Sequence, residues 1–333
     1  MLQRGRLKRF PFLNLNIVGK NNYRELVNNL KRNGFALIKV SEKEIDYNGH
    51  ARWFDELPIA VKEEVKMTEN YPFGWEKDES LDKVSVDKKQ TYTVHLGREK
   101  EQELVKWPES IESKANEKFK KDFTSIFEEG EYMCDKILEE IAVSEGFERN
   151  HFKDKMDKNF SSLRMLMYKG TGEAELKAGE HTDYGLITVI IFSDEMGLQL
   201  WLNEEQIKIE IEENRIYLDD IRENTDRKVI KQVIAESGGW FNVDVPANVA
   251  VVNNADLLEI WSNGDYMSTW HRVVAEKDRV SYAFFCNPNL ESKWEPHLRT
   301  IWPAKFRSVV GGEYIMGRHQ GAMKSEFYIN RDE

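Results

Sequence analysis

Apolar residues fall at helical spacing through much of the first half of the chain and in short strand-like runs through the second. Leu26, Val27 and Leu30 share one face of Tyr23–Asn33, and Gly34 follows, which predicts a helix closed by glycine. Phe35–Val40 then predicts a short apolar strand. A second helix is expected over Ile45–Leu57, with Trp53, Phe54 and Leu57 on one side and Pro58 as its stop. The clearest helix covers Ser113–Ser144. There Phe119, Phe123, Ile126, Phe127, Met133, Ile137, Leu138 and Ile141 recur on one stripe, and Gly146 ends it. Such a stripe reads as core.

From Leu163 the runs shorten and are broken by Gly, Pro and Asn: Leu163–Tyr168, Leu186–Phe192, Gln199–Leu202, Val249–Val252 and Val280–Phe285. Several short strands with turn signals between them predict a β-sandwich or barrel. In the charged stretch 203–236, Ile207, Ile209 and Ile211 alternate like an edge strand. No repeat or low-complexity linker intervenes. The expected organisation is one compact unit, with a mostly helical region, 1–150, packed on a β domain, 151–333.

Composition narrows the function. The 333 residues are 40% apolar and include 17 Phe, 12 Tyr and 9 Trp, enough for a substantial core. A net charge of −11 argues against a nucleic-acid or anionic-membrane binder, since phosphate surfaces need clustered Lys and Arg. Charge runs such as Lys118, Lys120 and Lys121 before Glu128, Glu129 and Glu131 read as solvated helix faces. Cys134 and Cys286 lie far apart in sequence and form neither a disulfide framework nor a CxxC site, as suits a reducing cytosol. The basic start, Met1–Arg9, is followed by no signal-peptide apolar run. The expectation is a cytoplasmic monomer without membrane or nucleic-acid partners.

His181-Thr182-Asp183 supplies an imidazole and a carboxylate two positions apart, and on an extended strand both point to one side. Alone this spacing is weak, because chance gives roughly one such match in a chain with these numbers of His and acids. Downstream stand His271, after a turn signal at Asn263-Gly264, and then Arg279-Val280-Ser281 on an apolar strand. Two imidazoles and one carboxylate form a facial set that suits Fe(II) and leaves open positions. A guanidinium beside a hydroxyl makes a natural carboxylate clamp. The other histidines (His50, His95, His151, His297 and His319) lack a partner pattern and are assigned ordinary surface or core roles.

In this order the motifs resemble those of the 2-oxoglutarate/Fe(II)-dependent dioxygenases of plant and fungal type, the isopenicillin N synthase-like group. The resemblance runs through Phe10–Leu15, Asn33–Ile38, Phe54–Pro58 with Lys62, His181–Ile190, Gly197–Trp201, Trp261–Gly264, Ser268–Val273 and Arg279–Asn289. It implies a mainly β fold with α: a double-stranded β-helix (jelly-roll, cupin-like) core with N-terminal and flanking helices. It further implies Fe(II) on His181, Asp183 and His271, with 2-oxoglutarate and O2 as co-substrates. The far carboxylate of 2-oxoglutarate would meet Arg279, Ser281 and Tyr168, with no catalytic residue beyond the metal ligands. The implied reaction oxidises an unactivated C–H bond of a small molecule by hydroxylation, desaturation or cyclisation, in specialised metabolism. An Fe(II)/O2 oxidase that needs no 2-oxoglutarate and a non-catalytic jelly-roll binding protein are the alternatives.

Some positions depart from the family pattern. Leu166-Met167-Tyr168-Lys169 replaces the usual Asn-Tyr-Tyr-Pro, and Asn253-Asn254-Ala255-Asp256 replaces Asn-x-Gly-Asp. Stretch 203–236 is longer than typical. Trp75 is expected either at the substrate pocket or in the core.

Overall fold

The computed structural model describes residues 12–13, 15–68, 72–77, 89–97, 105–212, 216–217, 238–297 and 303–319. Its helices are α1 (Tyr23–Asn33), α2 (Tyr47–Glu56), α3 (Ile59–Glu64), α4 (Lys114–Ser144), α5 (Lys153–Met156), α6 (Glu204–Glu212), α7 (Asp256–Trp261) and α8 (Gly311–His319). Three of the predicted boundaries follow directly from capping. Asn22 accepts from the Glu25 N–H at the start of α1, and Gly34, at φ 83°, closes it with an N–H bond to the Leu30 carbonyl. A Cβ at Gly34 would collide with Thr269. Ser113 accepts from the Asn116 N–H and starts α4.

Two sheets face each other. One is six-stranded, in the order β10 (Ile216–Tyr217), β1 (Phe12–Leu13), β11 (Gly239–Val243), β9 (Leu198–Leu202), β13 (His271–Ala275) and β7 (Glu175–His181). The other has eight strands: β2 (Ile17–Val18), β3 (Phe35–Lys39), β12 (Val249–Asn254), β8 (Ile187–Ser193), β14 (Arg279–Cys286), β6 (Ser162–Tyr168), β5 (Lys89–Val94) and β4 (Gly74–Lys77). β15 (Lys293–Trp294) and β16 (Val309–Val310) form a separate pair. The architecture is mainly β with a jelly-roll core and flanking helices. Strands from the first 150 residues extend the larger sheet on both sides of its centre.

The α4 stripe packs on the outer face of that sheet, against β6, β8 and β14. Leu163, Met165 and Met167 alternate toward it from β6, as do Tyr282, Phe284 and Cys286 from β14. Burying each large side chain there contributes roughly 1.5–3 kcal/mol. Gly130 lies where α4 crosses Phe284, and any Cβ at that point would run into the ring. The opposite face of β6 and β14 (Arg164, Leu166, Tyr168, Arg279, Ser281) looks into the space between the sheets.

One expectation is corrected, and two others are sharpened. Ile207, Ile209 and Ile211 lie in helix α6, not an edge strand, with Gln206, Ile207 and Glu210 as its buried positions. Asn203 and Gln206 exchange side-chain bonds with each other's backbone N–H, each 2.9 Å, and so cap its first turn. The two cysteines, distant in sequence, are neighbours across α4 and β14. Both are free thiols, and burial, helped by hydrogen bonding to Cys286, pushes the Cys134 pKa up. Trp75 is a core residue whose indole N–H donates to Gln90 Oε1 at 3.2 Å. Most of stretch 203–236 lies outside the described residues.

Candidate metal centre

His181 ends β7 and His271 opens β13, and the antiparallel pairing makes them register partners. Their ring centroids are 4.2 Å apart. Each Nδ1 bonds the carbonyl two residues upstream, His181 to Gly179 at 2.7 Å and His271 to Thr269 at 3.0 Å. A carbonyl only accepts, so Nδ1 carries the proton and Nε2 turns its lone pair inward. The two Nε2 atoms lie 3.9 and 3.7 Å from Asp183 Oδ1. One ligand atom from each of the three residues falls within 4.8 Å of the others.

Asp183 is not on the strand. β7 stops at His181, and the carboxylate belongs to the loop that follows. Its aim comes from elsewhere. The carbonyls of Asp183 and Gly185 each accept, at 2.9 Å, from the Asp256 and Leu257 N–H groups at the start of α7, donors that have no partner inside the helix. Asn253 Nδ2 donates to Asp183 Oδ2 at 2.9 Å, while Oδ1 is the atom nearest the imidazoles. Ala255, in the place of the family glycine, has an extended backbone (φ −124°) that any residue adopts.

Burial would raise the Asp183 pKa, but the imidazoles of His271 and His181 outweigh it and hold the carboxyl below its ordinary value. Burial and the neighbouring His271 push the His181 pKa down to about 4. This set offers two imidazole nitrogens and one carboxylate oxygen, the donor chemistry of a first-row divalent cation. Among the described residues it is the only such cluster.

The cluster opens on a cavity of about 990 Å³, part of it continuous with solvent. Arg279 and Ser281 face it from β14, and Tyr168 faces it from β6, directly opposite Arg279. Arg279 is 2% exposed. Its Nη1 donates to Ser281 Oγ at 3.1 Å, its Nε donates to the Glu195 carbonyl at 3.3 Å, and its guanidinium lies 5.5 Å from the Tyr168 ring centre. Burial pulls the Arg279 pKa down, with Tyr168 and Asp194 opposing. The structure thus brings all six expected site residues to one cavity.

It also brings residues that the sequence reading left out. Asn253 holds Asp183. Lys89 and Arg164 line the cavity, as do Ile315 and His319 of α8. Alternation from Tyr168 marks Arg164 as lying on the same face of β6; Asn253 carries no comparable local signal.

The profile of the 2OG-Fe(II) oxygenase superfamily matches residues 223–288, which include His271, Arg279 and Ser281. The chain is 26% identical over 203 residues to the oxoglutarate-dependent flavonoid 7-O-demethylase 1 of Ocimum basilicum, covering 59% of this chain and 45% of that protein. Over these parts of its length the chain is similar to the 2-oxoglutarate/Fe(II) oxygenases. A homoarginine-6-hydroxylase of Oryza sativa is another oxygenase relative, 33% identical over 144 residues, 41% of this chain and 34% of that protein. The chain spans about half the length, or less, of the curated oxygenases it matches. A full-length Neurospora crassa protein, solved with alpha-KG and 5-formyluracil, superposes with a TM-score of 0.67 at 25% identity, over 92% of this chain and 95% of that one. JOX2, solved with 2OG, Fe and JA, shares the fold with a TM-score of 0.71 at 18% identity, over 96% of this chain and 91% of that one. No helix among the described residues is long and apolar enough to cross a membrane.

Proposed function

We propose that the chain is an Fe(II)- and 2-oxoglutarate-dependent oxygenase that oxidises an unactivated C–H bond of a small molecule. The observation that carries this reading is the convergence of two inward-facing Nε2 atoms and one carboxylate at an open cavity whose wall holds a buried arginine. His181, Asp183 and His271 would hold the metal. When bound, Fe(II) with 2-oxoglutarate and O2 supplies the oxidising power, with succinate and CO2 as by-products.

The protein's share is position and environment. The Nδ1–carbonyl bonds fix both imidazole planes, and Asn253 fixes the carboxylate, so the three donors need little reorganisation to meet a cation. Arg279 and Ser281 present a cation and a hydroxyl to the far carboxylate of 2-oxoglutarate, inside a wall where water competes poorly. The Tyr168 ring packs beside the guanidinium and keeps it facing the cavity. Placement of the substrate carbon decides between hydroxylation, desaturation and ring closure, and specialised metabolism is the setting that the flavonoid-modifying relative suggests.

Succinate release tests the reading. Purified protein with Fe(II), 2-oxoglutarate and O2 should form succinate, and the His181→Ala/Asp183→Ala double variant should not. Substantial 2-oxoglutarate consumption by the double variant would sink the assignment, and turnover without succinate would assign an oxidase in its place.

A further inference from the structure

Resting on the metal assignment above, one arginine outside the cavity lining bears on how the carboxylate ligand is held. The two imidazoles stand on strands and are fixed by their own upstream carbonyls, whereas Asp183 belongs to the connection between β7 and β8. Such a connection takes its shape from what packs against it. The backbone here is tied by the α7 N–H groups at Asp183 and Gly185, and by the Leu186 N–H, which donates to the Cys286 carbonyl at 2.9 Å. The side-chain contacts come from α8.

Tyr314 and Arg318 stand one turn apart on a face of that helix, as do Ile315 and His319 on the neighbouring face. The second pair lines the cavity. The first pair meets Asp256, the first residue of α7. Tyr314 Oη donates to Asp256 Oδ2 at 2.8 Å, and Arg318 Nη1 lies 3.4 Å from the same oxygen. Arg318 also reaches both chain neighbours of the carboxylate ligand. Its Nη2 donates to Thr182 Oγ1 at 3.3 Å, and its Cζ lies 4.8 Å from the Tyr184 ring centre. His319 meets the same ring edge-on, with centroids 5.1 Å apart. Asp256 and Thr182 are fully buried and the Arg318 side chain nearly so, which leaves little room for water to replace these contacts.

We propose that Arg318 is a positioning residue: by holding Thr182, Tyr184 and Asp256 together it sets the aim of the Asp183 carboxylate and couples the seating of α8 to metal affinity. A guanidinium suits this role, because its separate N–H groups and its flat face serve three partners at once. Coupling is reciprocal, so the factor that a seated α8 adds to metal affinity is the factor that metal adds to the seating of α8. Metal thereby steadies the Ile315 and His319 wall of the cavity.

The test uses the full chain with Co(II), an air-stable probe of the site whose visible bands report coordination geometry. The dissociation constant, from competition with a chelating dye, should rise about tenfold in Arg318→Gln, the low end for groups that orient metal ligands, and the bands should change. Arg318→Lys, which keeps a cation beside Asp256, should recover part of the affinity. Gly130→Ala, which destabilises the fold at α4, should leave affinity and bands as they are. Hydrogen exchange at the 311–319 amides should slow about tenfold when Co(II) is added to the wild type, and hardly at all in Arg318→Gln. Wild-type affinity and bands in Arg318→Gln, an equal loss in Gly130→Ala, or wild-type α8 exchange indifferent to Co(II) would overturn the proposal. A wild type that binds no Co(II) removes the metal assignment and this proposal with it. Tight wild-type binding matched by Arg318→Gln removes this proposal alone.

Discussion

Replacing Arg279 by methionine keeps most of the side-chain volume and removes the guanidinium from a site that is 2% exposed. A hydrogen bond to a charged group is worth about 1.5–3 kcal/mol, and a two-pronged pair lies at the upper end of that range. Water has little access to Arg279 and cannot take over the role, although losing a buried cation also removes its desolvation cost. Taking about 3 kcal/mol as the net loss, the Kd for 2-oxoglutarate should rise roughly 100-fold. The same energy is removed from the ligand side by 2-oxovalerate, which has the chain length but no far carboxylate. A double-mutant cycle joins the two: calorimetric titration of anaerobic Fe(II)-loaded wild type and Arg279→Met with each oxoacid. The wild type should prefer 2-oxoglutarate strongly, and the variant should nearly lose that preference. If the substitution weakens both oxoacids by one common factor, Arg279 does not hold the far carboxylate.

Other consequences follow from the same geometry. Asn253→Ala frees the Asp183 carboxylate to turn and should weaken Fe(II) affinity about 10–100-fold, measured by competition with a chelating dye. Chelation should lower the melting temperature of the metal-loaded protein, because metal at about 100 times Kd adds about 2.7 kcal/mol, and Asp183→Ala should show no such drop. Gly130→Ala drives a methyl group into Phe284 and should cost about 1–3 kcal/mol in denaturant unfolding, relieved in part by Phe284→Leu. Arg318 sits 3.4 Å from the fully buried Asp256 carboxylate and donates to Thr182 Oγ1, between His181 and Asp183. Arg318→Ala removes that cation at a cost of about 3 kcal/mol and should speed proteolytic cleavage near α8.

Much of this was legible in the residues because the signals are local. Gly34 and Ser113 mark helix ends through their own backbone bonds, so α1 and α4 begin and end within a residue of the expectation. The three converging side chains could be ordered along the chain because a jelly roll returns β13 beside β7, a pairing that the family motifs already imply. The contribution of Asn253 was not legible, since its contact with Asp183 arises only after β12 and β8 pair side by side. β7 itself was passed over: Glu175–His181 is half polar and half exposed, and it lacks the apolar run that flagged the other strands. Stretch 203–212 carried a usable cue that alternation of three isoleucines masked. Asn203 and Gln206 stand at capping-box spacing, and three residues are too few to establish a strand period.

The central claim is that two imidazoles and one carboxylate bind a single cation and leave part of its coordination sphere to small molecules. Anomalous diffraction from crystals grown anaerobically with Fe(II) and 2-oxoglutarate measures this directly. One iron peak should appear with His181 Nε2, His271 Nε2 and an Asp183 oxygen at about 2.0–2.2 Å, the keto acid on its open side. A peak at some other residues, or none between these three, would contradict the account.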